Sequence, residues 1–500
     1  MERFITETTC GLVKGHLHNG IVEYLGIPYA KPPVGELRFK RAQPAEKWEG
    51  VLDAREYGPC SVQFERGQCV GSEDCLTINI KRPIDAHKLP VFVYIHGGGY
   101  NTGSCASPML NGDMFARDGV VFVAFQYRLN VLGFYDFSTY PGCEWMDTNC
   151  GLSDMILAMH WIQDNIAAFG GDPDKVTICG ESAGGAAVVT LMAAPGAKGT
   201  FNQVIAQSAL PNCVSTPELA RRNMDLFIEG MGWTEKDLVK LKDMPAYDMQ
   251  KGNTYLAAVH QQRNPGMLLP NPSIDDLLPV HPMEAIRNGC AKDVKLIIGT
   301  TLNEGTMFVR PEGTVFPNSW DMVERMFGDL KQPDEYEKVK AFYSERDERT
   351  LAGTEPSELE PFVRIATDYG FQAPSVQVAD GQLMHNPDVW MYRFEFVTEG
   401  GMKSGWRAFH ASELPCVFGC DDPRFRSFAF AGKTDAQVNK IIDDMHGSWV
   451  NFTKTGDPHP EWQRYTGWNS PVRIFDDDTR TEVLDRSDIM DIWNDIKPFK

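Results

Sequence analysis

The chain has 500 residues, 42% of them hydrophobic and 23% charged, with a formal net charge of −20 at pH 7. So acidic a surface repels phosphate backbones, which excludes nucleic acid as an expected partner. The opening residues Met1-Glu2-Arg3-Phe4-Ile5-Thr6-Glu7 form no secretory signal, and no run of about 18 apolar residues spans a membrane, so a cytoplasmic location is expected.

Apolar runs recur along the chain, each followed by a turn and a helical pattern. Val91-Phe92-Val93-Tyr94-Ile95 reads as a buried strand that ends at His96-Gly97-Gly98-Gly99. Val120 to Phe125 reads as a second, and residues 151–168 carry Leu152, Ile156, Met159, Ile162 and Ile166 on one helical face. Val176-Thr177-Ile178-Cys179 is a third strand, with a helix from Ala186 to Met192 after it. Val294 to Ile298 and Val389 to Phe394 continue the series. Runs that are apolar on both faces and separated by helices predict an α/β fold with a mostly parallel central sheet covered by helices on both faces. Residues around 315–385 are mostly helical by pattern and are expected to be an insertion. No linker or repeat divides the chain, so residues 1–500 are expected to form one domain despite a length that suggests more.

Gly180-Glu181-Ser182-Ala183-Gly184 fits G-x-S-x-G between a predicted strand and a predicted helix. In that setting a sharp turn strains the serine and thrusts its hydroxyl out at the sheet edge, while the flanking glycines relieve the crowding. The following helix points its N-terminus at the site, where its dipole favours developing negative charge. His96-Gly97-Gly98-Gly99 ends a strand about eighty residues earlier. Acyl transfer develops charge on a carbonyl oxygen, and backbone N–H groups can approach that oxygen closely where the residue is glycine.

The base and its acid are less legible. In this arrangement they follow the serine, acid first, on loops after later strands. Glu304 stands just beyond the strand 294–298, among many downstream carboxylates. Four histidines follow it: His385, His410, His446 and His459. His446 lies in a helical run, His459 in a Pro-flanked turn, and His385 at the wrong end of a strand. His410, in a loop beyond the strand 389–396, is the best positioned. Twelve cysteines form no CxxC pair and no Cys/His cluster with zinc spacing, so no metal is expected.

Taken together, the chain resembles the type-B carboxylesterase family, which includes para-nitrobenzyl esterases, animal carboxylesterases and cholinesterases. The resemblance runs from Tyr24-Leu25-Gly26-Ile27-Pro28-Tyr29-Ala30 through Ser72-Glu73-Asp74-Cys75-Leu76-Thr77-Ile78-Asn79 to Phe169-Gly170-Gly171-Asp172-Pro173. It continues with Gly180 to Gly185, Asn303-Glu304-Gly305, His410 with Glu413-Leu414-Pro415, and Trp449-Val450-Asn451-Phe452. The resemblance implies an α/β-hydrolase fold and a serine carboxylesterase acting on a small-molecule ester without cofactor. It implies a catalytic triad of Ser182, Glu304 and His410, and an oxyanion hole from the N–H groups of Gly98, Gly99 and Ala183. Glu181 and Tyr100 are expected to lie beside the substrate. Secreted members pair Cys75 with an upstream cysteine, here Cys60 or Cys69; in a cytoplasmic chain that bridge is not expected. Ala209 stands where the family usually has glycine, so acyl preference does not carry over. A non-catalytic adhesion role is the rival class, but such relatives generally lose the nucleophile. Oligomeric state and substrate are not legible in the sequence.

Overall fold

The computed structural model describes residues 4–494 apart from 66, 264, 313–314, 330–333 and 346–356. Its centre is an eleven-stranded sheet, whose strands in chain order are β1 His16–His18, β2 Ile21–Pro28, β3 Thr77–Pro83, β4 Leu89–Ile95, β5 Val121–Phe125 and β6 Gly171–Glu181. The rest are β7 Gln203–Gln207, β8 Lys295–Thr301, β9 Val389–Phe394, β10 Asn469–Phe475 and β11 Arg480–Asp485. They lie in the order β11-β10-β9-β8-β7-β6-β4-β5-β3-β2-β1. All pairings from β5 across to β10 are parallel. Both flanks are antiparallel, β3 to β5 on one side and β11 to β10 on the other.

Alternation along each central strand explains why the sheet is covered twice. Val91, Val93 and Ile95 of β4 enter one apolar core, whereas Phe92 and Tyr94 enter the other. Leu296 and Ile298 of β8 divide from Ile297 in the same way. A strand apolar at every position therefore satisfies both faces, as a parallel sheet between helical layers requires. The helix Ala183–Ala193 is buried at every residue. Its small side chains let it pack tightly onto the sheet, a position that an amphipathic helix could not fill.

The strands expected from apolar runs are present, with 389–394 at the expected bounds, 121–125 one residue shorter at its start, and 295–301 one residue later at its start but longer at its end; the third starts at Gly171, and its pairing shifts register between Gly171 and Val176. The expected helix at 151–168 is the α-helix Cys150–Asn165 followed by a tight turn Ile166–Phe169. In the insertion stand the helices Trp320–Asp329, Glu335–Ser344, Glu360–Thr367 and Ala373–Leu383. The parts of it at 330–333 and 346–356 fall outside the described residues.

Candidate active site

Parallel strands deliver their C-terminal ends, and the loops after them, to one edge of the sheet. The ends of β4, β6, β7 and β8 bring His96, Ser182, Ser208 and Glu304 to that edge, and the loop after β9 brings His410.

Ser182 follows β6 with φ 60° and ψ −124°, outside the regular regions, and caps the helix Ala183–Ala193. Two backbone bonds hold this strained turn: Ser182 N–H donates to the Gln207 carbonyl at 2.9 Å, and the Ser182 carbonyl accepts from Ala186 N–H at 2.8 Å. The turn is possible because of its glycine. A Cβ on Gly184 would stand 2.1 Å from the Ile95 carbonyl oxygen.

The glycine loop after β4 presses on the same point. A Cβ on Gly97 would stand 2.4 Å from the Glu181 carbonyl and 3.1 Å from the Ser182 Cβ. His96, buried and stacked on Tyr127 at 4.5 Å, donates its Nδ1–H to the Gly97 carbonyl at 3.0 Å. In a planar trans peptide the carbonyl and the next N–H point in opposite directions. Fixing the Gly97 carbonyl therefore fixes the Gly98 N–H. The N–H groups of Gly98, Gly99 and Ala183 donate to no protein group among the described residues. Burial pushes the His96 imidazole down to about 4, so it stays neutral.

His410 is buried, and its Nδ1 lies 2.5 Å from Glu304 Oε2. The other oxygen of Glu304 accepts from the Ser208 hydroxyl at 2.6 Å and from the Thr301 N–H at 2.7 Å. Charge-assisted bonds of this kind hold a fully buried carboxylate in one orientation. The far edge of the ring, Nε2, comes to 3.1 Å from Glu181 Oε1. The alignment there is poor, and neither atom has a hydrogen-bond partner among the described residues. The rings of Phe308 and Phe371 flank the imidazole, each with its centroid 4.9 Å away.

A third carboxylate, Glu413, is fully buried and accepts from Gln207 Nε2 at 3.1 Å. The Trp449 indole N–H, which can only donate, bonds Gln207 Oε1 at 3.2 Å and so fixes the amide orientation. Burial, then the charge of Glu304, raises Glu413; for Glu181 burial also leads, opposed by His410. Burial works against charge on His410 too, but Glu181 and Glu304 overcome it and raise the imidazole. The shifts of Glu181 and His410 describe one contest: a proton on Glu181 removes the charge that favours the imidazolium.

The structure thus brings Ser182, Glu304, His410, Gly98, Gly99, Ala183 and Glu181 to one sheet edge. Tyr100 packs inward instead, at φ 56°, with its ring 4.6 Å from Phe134. The remaining downstream histidines serve elsewhere. His446 bonds the Val417 carbonyl and Asp118 from inside the helix Asp435–Thr455, and His385 bonds the Arg287 carbonyl. Sequence reasoning passed over Ser208, Gln207 and Glu413 as site components. Their signal was positional, since Gln207 ends a buried strand with Ser208 just after it, and Glu413 follows His410 by three residues. Cys75 is buried, and burial pushes its thiol up to about 12; it and the other described cysteines are unpaired.

The carboxylesterase family model matches residues 2–491. Among characterised proteins, the chain is 37% identical over 495 residues to the para-nitrobenzyl esterase of Bacillus subtilis (strain 168), covering 96% of each chain. It is 31% identical over 502 residues to the phenmedipham hydrolase of Pseudarthrobacter oxydans, covering 95% of this chain and 96% of that one. Among solved structures, a PNB esterase superposes with a TM-score of 0.85 at 35% identity, over 98% of this chain and 99% of the other. The strained serine elbow, the glycine loop and the matches over almost the whole chain lead to one conclusion: the chain belongs to the carboxylesterase family and is a serine carboxylic-ester hydrolase of the α/β-hydrolase fold.

Proposed function

We propose that Ser182, His410 and Glu304 form the catalytic triad, with the N–H groups of Gly98, Gly99 and Ala183 as the oxyanion hole. The observation that carries this reading is the 2.5 Å contact of Glu304 with His410 at the sheet edge from which the strained Ser182 emerges. His410 Nε2 takes the Ser182 proton as the hydroxyl oxygen attacks the ester carbonyl. Charge on the carbonyl oxygen is met by the three unengaged N–H groups and the helix N-terminus. The tetrahedral species collapses, His410 returns the proton to the leaving oxygen, and the alcohol departs from an acyl-Ser182. Water then gives its proton to His410 and its oxygen to the acyl carbon, and the acid leaves as Ser182 regains its hydrogen. Glu304 holds the imidazole with Nδ1 protonated and stabilises the imidazolium.

The substrate class is a small, uncharged ester. Phe308 and Phe371 give the base an apolar wall. Glu181 borders the reacting atoms, and Tyr100 backs the glycine loop. Residues 1–500 act as one catalytic unit with the helical insertion at 315–385. The unpaired cysteines favour a reducing, cytoplasmic setting. No helix among the described residues is long and apolar enough to cross a membrane.

Ser182→Ala should lower kcat on p-nitrophenyl acetate by about 10⁴-fold or more without altering the far-ultraviolet circular dichroism. Turnover within tenfold of the parent, or an organophosphate adduct mapped to another residue, would overturn the assignment. Alanine variants of His385, His410, His446 and His459 test the base in the same way.

A further inference from the structure

The outer edge of the sheet, opposite in strand order to β11, carries a cluster that ester hydrolysis does not use. Strands β1 and β2 are joined by the two-residue turn Asn19-Gly20, with φ 46° and 83°. Positive φ at both positions is the tight hairpin turn whose twist matches its strands, so register across it is fixed. In that register His16 faces Glu23, and His18 stands two residues from His16 on the same strand face. One nitrogen from each imidazole and one oxygen of Glu23 lie within 4.8 Å of one another.

We propose that His16, His18 and Glu23 form a binding site for a divalent transition cation of the zinc class, with water completing the shell. The donor set suits that cation: two imidazoles and one carboxylate on a rigid scaffold. Tetrahedral zinc with bonds of about 2.0–2.1 Å needs ligand atoms roughly 3.4 Å apart. His16 Nε2 and Glu23 Oε2 already stand at 3.3 Å, so His18, which is exposed, is the ligand that must swing in. Its Nε2 contacts the Asn19 side-chain amide at 3.0 Å, an exposed contact that a cation bound through that nitrogen would replace. The Nδ1 atom of His16 is buried with no hydrogen-bond partner among the described residues.

Lys81, one strand further in, is the obvious competitor. Its Nζ is 2.8 Å from Glu23 Oε1, but also 2.7 Å from Asp113 Oδ1 and 2.6 Å from Asn111 Oδ1. Asp113 offsets the lysine charge, and the amine engages the Glu23 oxygen that the cation does not need. Glu23 keeps Oε2 for the cation. A cation there would clip the edge strand β1 to β2 and leave the catalytic edge untouched.

The test is calorimetric titration of the full-length protein with ZnCl₂ at pH 7.5, after treatment with chelator and dialysis. One saturable site is expected, and zinc should raise the melting temperature. His18→Gln should weaken binding at least tenfold, the scale of losing one metal ligand or its support, while ester turnover stays that of the parent. His16→Gln should do the same, and His87→Gln, an exposed histidine elsewhere, should not. A parent with no saturable site, or His16→Gln and His18→Gln titrating like the parent, would overturn the proposal. An equal loss in His87→Gln would reveal scattered surface binding only, which also overturns it.

Discussion

His410 faces Glu181 across 3.1 Å on the ring edge opposite the one that Glu304 holds. The imidazole is thus set between two carboxylates, one aligned for a hydrogen bond and one not. An imidazole so placed resists giving up its proton, because burial alone would lower it whereas the carboxylates raise it.

Glu181→Gln should therefore move the acidic limb of the kcat/KM profile to lower pH. Without the Glu181 charge the imidazolium is less favoured, the pKa of His410 falls, and the neutral base persists further into acid. At pH 8 the variant should keep kcat within about tenfold of the parent, since Glu304 still orients the ring. An unshifted limb would mean that Glu181 carries no charge where the base titrates.

Ser208 acts through Glu304, as a positioning residue. Ser208→Ala removes the 2.6 Å donor from a buried carboxylate, an interaction worth about 1.5–3 kcal/mol when one partner is charged. We expect kcat to fall about tenfold with KM little changed. Steady-state kinetics across pH would distinguish this from simple unfolding, because only a loosened Glu304 shifts the limb along with kcat.

Gly97→Ala introduces a methyl group 2.4 Å from the Glu181 carbonyl and 3.1 Å from the Ser182 Cβ. Backbone lies on one side and Ser182 on the other, so the loop itself must retreat. The expected result is a kcat loss of about 10²-fold, as for a displaced oxyanion donor. The overpacking should cost about 1–3 kcal/mol in urea unfolding.

His96 gives a pH signature in stability. Its folded-state pKa of about 4 lies below the ordinary value of 6.5, with burial as the leading cause. Both states are neutral above 6.5, and only the unfolded chain gains the proton between 6.5 and 4. His96 thus destabilises the fold as pH falls through that window, by at most about 1.4 kcal/mol per unit. His96→Asn should start less stable at pH 8, having lost the ring stacked on Tyr127. Its deficit against the parent should shrink as pH drops toward 4, measured by urea unfolding at each pH.

Much of this site is readable in the chain because its strongest constraints are local. A strand, a serine among glycines and a helix must make an elbow, and an apolar strand running into three glycines must present bare backbone. Strands apolar at every position likewise foretold two covered faces. Glu304 and His410 are harder, since nothing near either residue forces them together; their 106-residue separation is bridged only in space. Periodicity could narrow the base to one of four histidines, and resemblance supplied the pairing. Glu413 and Gln207 were invisible for a related reason. A buried carboxylate facing an amide and an indole is a three-body arrangement drawn from β7, a loop and the helix Asp435–Thr455. Of the antiparallel strands β1 to β3, β1 is a three-residue edge strand, whereas β2 and β3 interleave polar residues such as Glu23, Asn79 and Lys81 with their apolar ones and so form no continuous apolar run.

The parallel order of the sheet also sets when activity can first appear. Ser208 and Glu304 are 96 residues apart in sequence, and their contact requires β7 and β8 to be paired already. The contact of Glu304 with His410 requires the loop after β9 to have docked as well. No short segment contains a working part of the site, and contacts this distant in sequence form late. During refolding, ester turnover should therefore trail the return of helical signal, so that catalysis reports the last stage of assembly.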